Sequence, residues 1–386
     1  MKKKVLMAGL IDPGKNDAGK IHFYELANAF KANGNDVDLI VPGNNLGNLK
    51  CKADTIFHLP LTYRENMFNI FLLSFLQIVY YFFISSDEYD FVYIRFRLFP
   101  CFFIKLINKI KRLRTEIYAE QAGWVEKEIE IQKGNLLIKI IGKNIQIIDA
   151  FFADKVIVMT KGIKERLIKN RIKRSKIYVA ENGTNTDHFY PFTPQERKNL
   201  KNKLLNTDKT ILGFTGNLSK WQGIEQLIYA YKKIREENND LLLLIIGSGI
   251  YRDELITVIN DNDLSDSVIF RENADYSEIN KWMNITDIAF APKIKELDGI
   301  TSPLKLRDYA ASGNAVISTD IAGIREFAEF GWLKTYNPDN TDELIETIRE
   351  LIQNKDIIEN MSKKSREYAL KYFSWNKIAD AISSFR

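Results

Sequence analysis

The stretch GITSPLKLRDYAASGNAV, residues 299–316, sets charge beside a helix start. Ser302 and Pro303 suit an N-cap and a first helical position, and Gly313 suits a stop. A helix start carries unpaired N–H groups and a partial positive charge, a ready seat for phosphate. Lys305, in the first turn, adds a cation for the same anion. Asp308, three residues on, shares its face. At 1.5 Å per residue, Asp308 lies roughly 8 Å along the axis from Pro303. That offset suits a diphosphate at the tip and a ribose beside the first turns, its hydroxyls donating to the carboxylate. The small run Ala310, Ala311, Ser312 and Gly313 lets such a helix lie close to a sheet. The same residues also allow an ordinary capped helix with a surface Lys–Asp pair.

Three histidines are present. His22, at the start of the first helix, is expected to meet substrate. His58 and His188 are expected to be structural, with Glu181, Asn182 and Gly183 better placed than His188 to face a ligand. No His, Cys, Asp or Glu cluster has metal-ligand spacing, so chemistry without a metal is expected. Cys51 and Cys101 make neither a disulfide framework nor a metal motif, which fits a reducing cytoplasm.

The elements that must position these residues alternate strand and helix throughout. KVLMAGL, DVDLIVPG, DFVYIRF, TEIYAE, ADKVIVMT and SKIYVAENG read as strands of one parallel, doubly wound sheet. The polar, proline-bearing YPFTPQERKN marks a linker. A second series runs through TILGFTG, LLLLIIGSG, SVIFREN, DIAFAP and AVISTD. The expectation is an α/β protein with two Rossmann-like domains, residues 1–190 and 191–370, facing across a cleft, with ligands at strand C-termini. The opening MKKKVLMAGLIDPG reads as a first strand, not a signal peptide.

Residues 1–190 hold 29 Lys and Arg against 20 Asp and Glu, whereas the remainder holds 26 against 30. The two halves are therefore expected to have different neighbours. FFIKLINKIKRLR sets Phe103, Leu106, Ile107 and Ile110 against Lys105, Lys109, Lys111, Arg112 and Arg114, a pattern compatible with peripheral contact to an anionic membrane. A solvated face is the plainer alternative. Residues 68–84 are apolar except for Asn69, Ser74 and Gln77; as a helix they span roughly 25 Å, marginal for a bilayer. Lying between two strands of one sheet, they are expected to form a buried core helix. No nucleic-acid partner is expected.

SPLKLRDYAASGNAVIST resembles the donor-site motif of retaining GT-B glycosyltransferases of family 4, roughly SP-x-K-x-x-E-Y-x-A-x-G-x-P-V-V-x-T. AGKIHFYELANAFKANGNDVDLIV, ADKVIVMTKGIKERL, KIYVAENGTNTDHFYP, ILGFTGNLSKWQGIEQLIYA and LLLLIIGSGIYRDEL resemble further motifs of that family in the same order. YFSWNKIA looks like its terminal helix, residues 371–386, which packs back on the first domain.

The resemblance implies transfer of a sugar from a nucleotide diphosphate, UDP by preference, to a glycan or lipid-linked glycan, with retention and without a cofactor. It implies a cytoplasmic enzyme, at the inner face of the membrane if the acceptor is lipid-linked. The donor would meet Gly216, Asn217, Lys220, Gly247, Asn273, Gly299, Ile300, Thr301, Ser302, Pro303, Leu304, Lys305 and Asp308. The acceptor would lie near Gly14, Gly19 and His22, and Glu120, Lys305 and Asp308 would carry the chemistry.

The chain departs from the family pattern where an Arg and a Lys usually bind the diphosphate, having Asn217 and Gln222 there. Lys220 and Lys305 are the candidate replacements. Asp308 stands for the second glutamate of a paired motif. Ile300 stands for the first, with Asp298 and Glu296 out of register, so backbone of Gly299–Ser302 would orient the donor sugar. Glu120 occupies the place of a first-domain histidine. A non-catalytic nucleotide-sugar-binding subunit and a sugar-nucleotide epimerase are the alternatives.

Overall fold

The computed structural model of the chain describes residues 2–12, 17–43, 51–64, 66–86, 88–95, 100–131, 136–272 and 274–385. Two compact units emerge. The first comprises Met1–Asn182, Gly299–Ser302 and Trp375–Arg386, and the second Gly183–Asp298 and Pro303–Ser374. The segment 183–190, read from sequence with the first domain, groups with the second unit.

The first unit begins β1 (Lys4–Gly9), α1 (Ala18–Ala32), β2 (Asp36–Pro42), β3 (Thr55–Leu59), α2 (Met67–Ile84) and β4 (Phe91–Arg95). It continues α3 (Pro100–Lys111), β5 (Glu116–Gln121), α4 (Val125–Ile131), α5 (Leu136–Phe152), β6 (Lys155–Val158), α6 (Lys161–Lys169) and β7 (Ile177–Val179). Its seven parallel strands run β3-β2-β1-β4-β5-β6-β7. β1 pairs with β2 on one side and β4 on the other, Gly9 lying opposite Arg95. The chain thus reverses its direction of travel between β1 and β4, the place where such sheets open a crevice at strand C-termini.

The second unit starts with α7 (Pro194–Leu205), β8 (Thr210–Thr215), α8 (Ile224–Glu237), β9 (Leu241–Ile246), α9 (Arg252–Asp261), β10 (Val268–Arg271) and α10 (Tyr276–Ile285). Then come β11 (Ile288–Ala291), α11 (Leu304–Ala311), β12 (Ala315–Thr319), β13 (Leu333–Tyr336), α12 (Thr341–Gln353) and α13 (Lys355–Tyr372). The strand order β10-β9-β8-β11-β12-β13 puts its reversal between β8 and β11. Both faces of this sheet are covered: Leu241–Ile246 is buried along its whole length, as a central parallel strand must be. The last helix, α14 (Trp375–Ser384), packs on α1 in the first unit, where Asn33 Nδ2 donates to Asn376 O and Asp380 Oδ1.

Two sequence expectations change. Ser302 does not cap α11: the cap position is Pro303, which offers no side-chain acceptor, and the helix starts at Leu304. The apolar α2 is not a buried core helix. Its buried face carries Ser74, Gln77 and Tyr81, while Phe68, Phe71, Phe75, Phe82 and Phe83 point outward. The protein covers only one side of the helix, and that side holds polar groups beside Leu73: Gln77 Nε2 donates to Gly9 O in β1 at 3.1 Å and Tyr81 Oη to Asn108 Oδ1 in α3 at 2.6 Å.

Candidate active site

In the second unit the C-terminal ends of β8 and β11 gather two lysines. Lys293 follows β11 by two residues; its amide donates to Thr319 Oγ1 and its side chain is 7% exposed. Lys305 comes from the first turn of α11. Its Nζ lies 3.6 Å from the Phe214 ring centre, and a Cβ on Gly216 would sit only 2.7 Å from it. Glycine at 216, with φ of +141°, is what lets this ammonium approach the end of β8. Both lysines reach one acceptor, Gln222 Oε1, at 2.8 Å from Lys293 and 3.2 Å from Lys305. Neither has a carboxylate partner among the described residues. Burial pushes Lys293 down to about 7. Burial, then the neighbouring Lys293 charge, pushes Lys305 well below the lysine range. Two desolvated lysines facing one amide oxygen make a site that an anion completes, by favouring their charged forms.

α11 is fixed there by packing. Leu306, Tyr309, Ala310 and Ala311 are buried, and the Tyr309 hydroxyl accepts from the Thr215 amide at the end of β8 at 2.7 Å. Arg307 turns inward, donating to Pro303 O and facing the rings of Phe327 and Phe373. Asp308 Oδ1 accepts from Thr184 Oγ1 at 2.7 Å, and the Thr184 amide donates to Phe373 O. The carboxylate is thereby tied to the segment that opens the second unit. Gly247, after β9, approaches so closely that a Cβ would lie 1.8 Å from Gly216 O. Asn217 and Lys220 are exposed, whereas the ammonium groups of the lysine pair are buried.

In the first unit the ends of β4 and β5 carry a buried network. Glu120, 3% exposed, accepts from His22 Nε2 at 3.0 Å, from Tyr93 Oη at 2.8 Å and from Arg95 Nη1. Burial alone would raise its pKa, but Arg95, then His22 and Tyr93, hold it down to about 2. A carboxylate so low and so fully engaged anchors its neighbours rather than accepting a substrate proton. His22 Nδ1 lies 2.7 Å from Asn182 Oδ1, and Asn182 Nδ2 donates to Ser302 O at 2.5 Å. Both ring nitrogens therefore lie against oxygens, which fixes the orientation of the imidazole. Trp375 meets the His22 ring edge-on at 4.9 Å.

Gly299–Ser302 is held from the same unit. Thr160 Oγ1 donates to Gly299 O at 2.6 Å, and any Cβ on Gly162 would stand 2.1 Å from that oxygen. Ile300 is 3% exposed, and the buried Ser302 Oγ has no hydrogen-bond partner. Gly19 lies in the first turn of α1, which Asp17 caps through Lys20 N. Gly14 and Asn273 lie outside the described residues. His58 Nδ1 lies against Gly43 O, and His188 stacks on Tyr276 with Nε2 at 3.0 Å from its carbonyl. Among the described residues, no three His, Cys, Asp or Glu side chains come together as metal ligands.

Sequence reasoning missed Lys293. APKIKEL has no distinctive spacing, and only the β8–β11 adjacency brings it to Gln222. Its position just past a strand C-terminus at the sheet reversal was the available signal.

Residues 195–369 match the family of glycosyl transferases group 1. An uncharacterized glycosyltransferase of Methanocaldococcus jannaschii is 25% identical over 316 residues, 80% of this chain and 77% of that one. The sucrose-phosphate synthase of Thermosynechococcus elongatus superposes with a TM-score of 0.79 at 18% identity, covering 99% of this chain and 98% of the other. The Anabaena protein HepE, solved with UDP-glucose, superposes at 0.75 and 15% identity over 99% and 98%. Residues 195–369 are thus similar to the glycosyl transferases group 1 family, within a chain whose two Rossmann-like units share the GT-B fold of these solved structures.

Proposed function

We propose that the chain transfers a sugar from a nucleotide diphosphate, UDP, to a glycan or lipid-linked glycan, with retention of configuration and in the manner of glycosyltransferase family 4. The observation that carries this reading is the lysine pair at Gln222, with no acid of its own, at the reversal of the second sheet. Lys293 and Lys305 would neutralise the diphosphate together with the uncapped start of α11. Asp308 would take the ribose, and Gly216 and Gly247 would let the diphosphate approach the ends of β8 and β9. The UDP-glucose complex of HepE supports the choice of nucleotide.

As the bond from the anomeric carbon to the diphosphate oxygen breaks, negative charge grows on the departing phosphate. Fixed cations there stabilise it more than they stabilise the ground state. The acceptor oxygen bonds to the anomeric carbon from the same face, and its proton passes to the departing phosphate oxygen. Glu120 serves this step by holding His22 and Arg95 in place; His22 and the α1 start would position the acceptor. With two lysines on the diphosphate, no metal is required. Lys293 supplies the charge that Asn217 and Gln222 lack, which weighs against a non-catalytic binding subunit. An epimerase would need a pair of acid–base carboxylates, and Glu120 is already committed.

The test is an assay of UDP-sugars for hydrolysis and acceptor-dependent UDP release, with and without EDTA. Release that survives chelation supports the reading. Activity lost in EDTA and restored by Mg²⁺ or Mn²⁺ would place the chemistry elsewhere.

A further inference from the structure

The structure assigns a second role to the first unit: we propose that the outward faces of α2, α3 and α5 form one docking surface for an anionic lipid bilayer. The clearest sign is α2, which buries Leu73 and Tyr81 but leaves a row of phenylalanines outward. The polar Ser74 and Gln77 are buried, Gln77 against Gly9 of β1, and the rings of Phe68, Phe71, Phe75 and Phe82 are exposed, Phe68 being 76% exposed. Their spacing of three, four and seven residues puts all four on one face. Rings of this size left mostly uncovered amount to several hundred Å² on this helix alone, on the order of the largest patch a monomer ordinarily shows.

The patch continues on the neighbouring helices. α3 packs against both α2 and α5. It turns Ile104 and Ile107 inward and steps Phe102, Leu106 and Ile110 outward at intervals of four, Ile110 being 65% exposed. On α5, Leu136, Ile140 and Phe151 are exposed as well. Among the described residues no helix is long and apolar enough to cross a membrane, so these faces would lie on a bilayer rather than span it.

Charge selects the lipid. Lys105, Lys139 and Lys143 are paired with Asp154, Glu130 and Glu126. At the end of α3 the pattern differs: Lys109 and Arg112 are exposed and have no ion-pair partner among the described residues. Lys111 Nζ, between them, donates to Phe82 O at 2.8 Å and Ser85 O at 2.7 Å and lies 5.5 Å from the Phe82 ring centre. The basic end of α3 is thus pinned to the apolar end of α2. An apolar sheet of rings edged by uncompensated cations matches acyl chains beneath anionic headgroups. The surface rests on these helices alone, whatever reaction the chain performs.

Flotation of the full chain with phosphatidylcholine vesicles, with and without phosphatidylglycerol, tests this. The expected result is binding to the anionic vesicles that weakens with salt. It should fall at least about tenfold in Lys109→Glu/Arg112→Glu, given the attraction each basic residue contributes at such a surface. Phe71→Ser/Phe75→Ser should lose binding to a similar degree. All four side chains are exposed, and circular dichroism melting confirms that the variants fold. Equal recovery with neutral and anionic vesicles, or none with either, would overturn the proposal. So would sedimentation velocity showing a dimer that Phe71→Ser/Phe75→Ser converts to monomer without any vesicle binding, which would assign the surface to a second copy.

Discussion

Lys293 and Lys305 come from different elements, yet both ammonium groups reach Oε1 of Gln222, at 2.8 and 3.2 Å. Two groups bonded to one oxygen stand within about 6 Å of each other. At an effective dielectric of about 20, like charges at that separation repel by on the order of 3 kcal/mol. Burial adds to this, so the pair without an anion resists full protonation, and a bound diphosphate removes the conflict.

A pH dependence follows. Lys293 is held at about 7, so near pH 8 it is largely neutral in the empty site, and Lys305 beside it is pushed well below its ordinary range. A diphosphate favours the charged forms and raises both. Binding above pH 7 therefore takes up protons, and affinity for UDP falls as pH rises. Calorimetry near pH 8 in two buffers of different ionisation enthalpy should show net proton uptake. Heats that do not depend on the buffer would mean that the lysines do not meet the phosphates.

Glu120 makes a second, independent prediction. Its pKa is depressed to about 2, so its stabilising contribution is complete above the ordinary glutamate value and is lost as pH falls toward 2. The size expected is on the order of 3 kcal/mol. Glu120→Gln should be destabilised at pH 7 by about 3–5 kcal/mol, because Arg95 loses its buried counter-charge and His22 and Tyr93 lose an ionised acceptor. Between about pH 4.5 and 2 it should also lose less stability than the wild type does. Urea unfolding across that range measures both, and parallel wild-type and variant curves would contradict the network.

Asp308 separates ligand binding from structure. If its carboxylate accepts from the ribose, Asp308→Asn weakens uridine as well as UDP, since a charge-assisted hydrogen bond is worth about 1.5–3 kcal/mol, roughly 10- to 150-fold. Thr184→Val removes only the bond to Thr184 Oγ1 and should cost about 1 kcal/mol of stability with nucleotide affinity intact. Equal nucleotide affinity in wild type and folded Asp308→Asn would confine Asp308 to holding Thr184.

The alternation of apolar runs and amphipathic helices made the central strands of both sheets readable, because a strand such as Leu241–Ile246 must be apolar on both faces, whereas the short edge strands β3 and β13 were not read. Lys305 was readable from its place at a helix start. What escaped was contact between distant segments. Lys293 is an isolated residue in a polar loop, and Gln222 alone looked like a lost cation. The start of α11 was misplaced by one residue because Ser-Pro is a frequent cap pair, whereas here Pro303 itself takes the extended cap position. In α2, apolar composition pointed to burial, but composition does not say which side the sheet covers. Beside the apolar Leu73, the residues turned inward include Gln77 and Tyr81, which bond to Gly9 and Asn108.

The most direct test of the lysine pair is calorimetric titration of UDP and uridine into wild type, Lys293→Met, Lys305→Met and the double variant Gln222→Lys/Lys293→Ser. Losing one lysine should weaken UDP roughly 10- to 150-fold, as for other charge-assisted contacts, and leave uridine within about twofold. The double variant returns an ammonium to the same point from the opposite side and should recover most of the UDP affinity. Unchanged UDP affinity in folded Lys293→Met and Lys305→Met would contradict the assignment of this pair to the donor diphosphate.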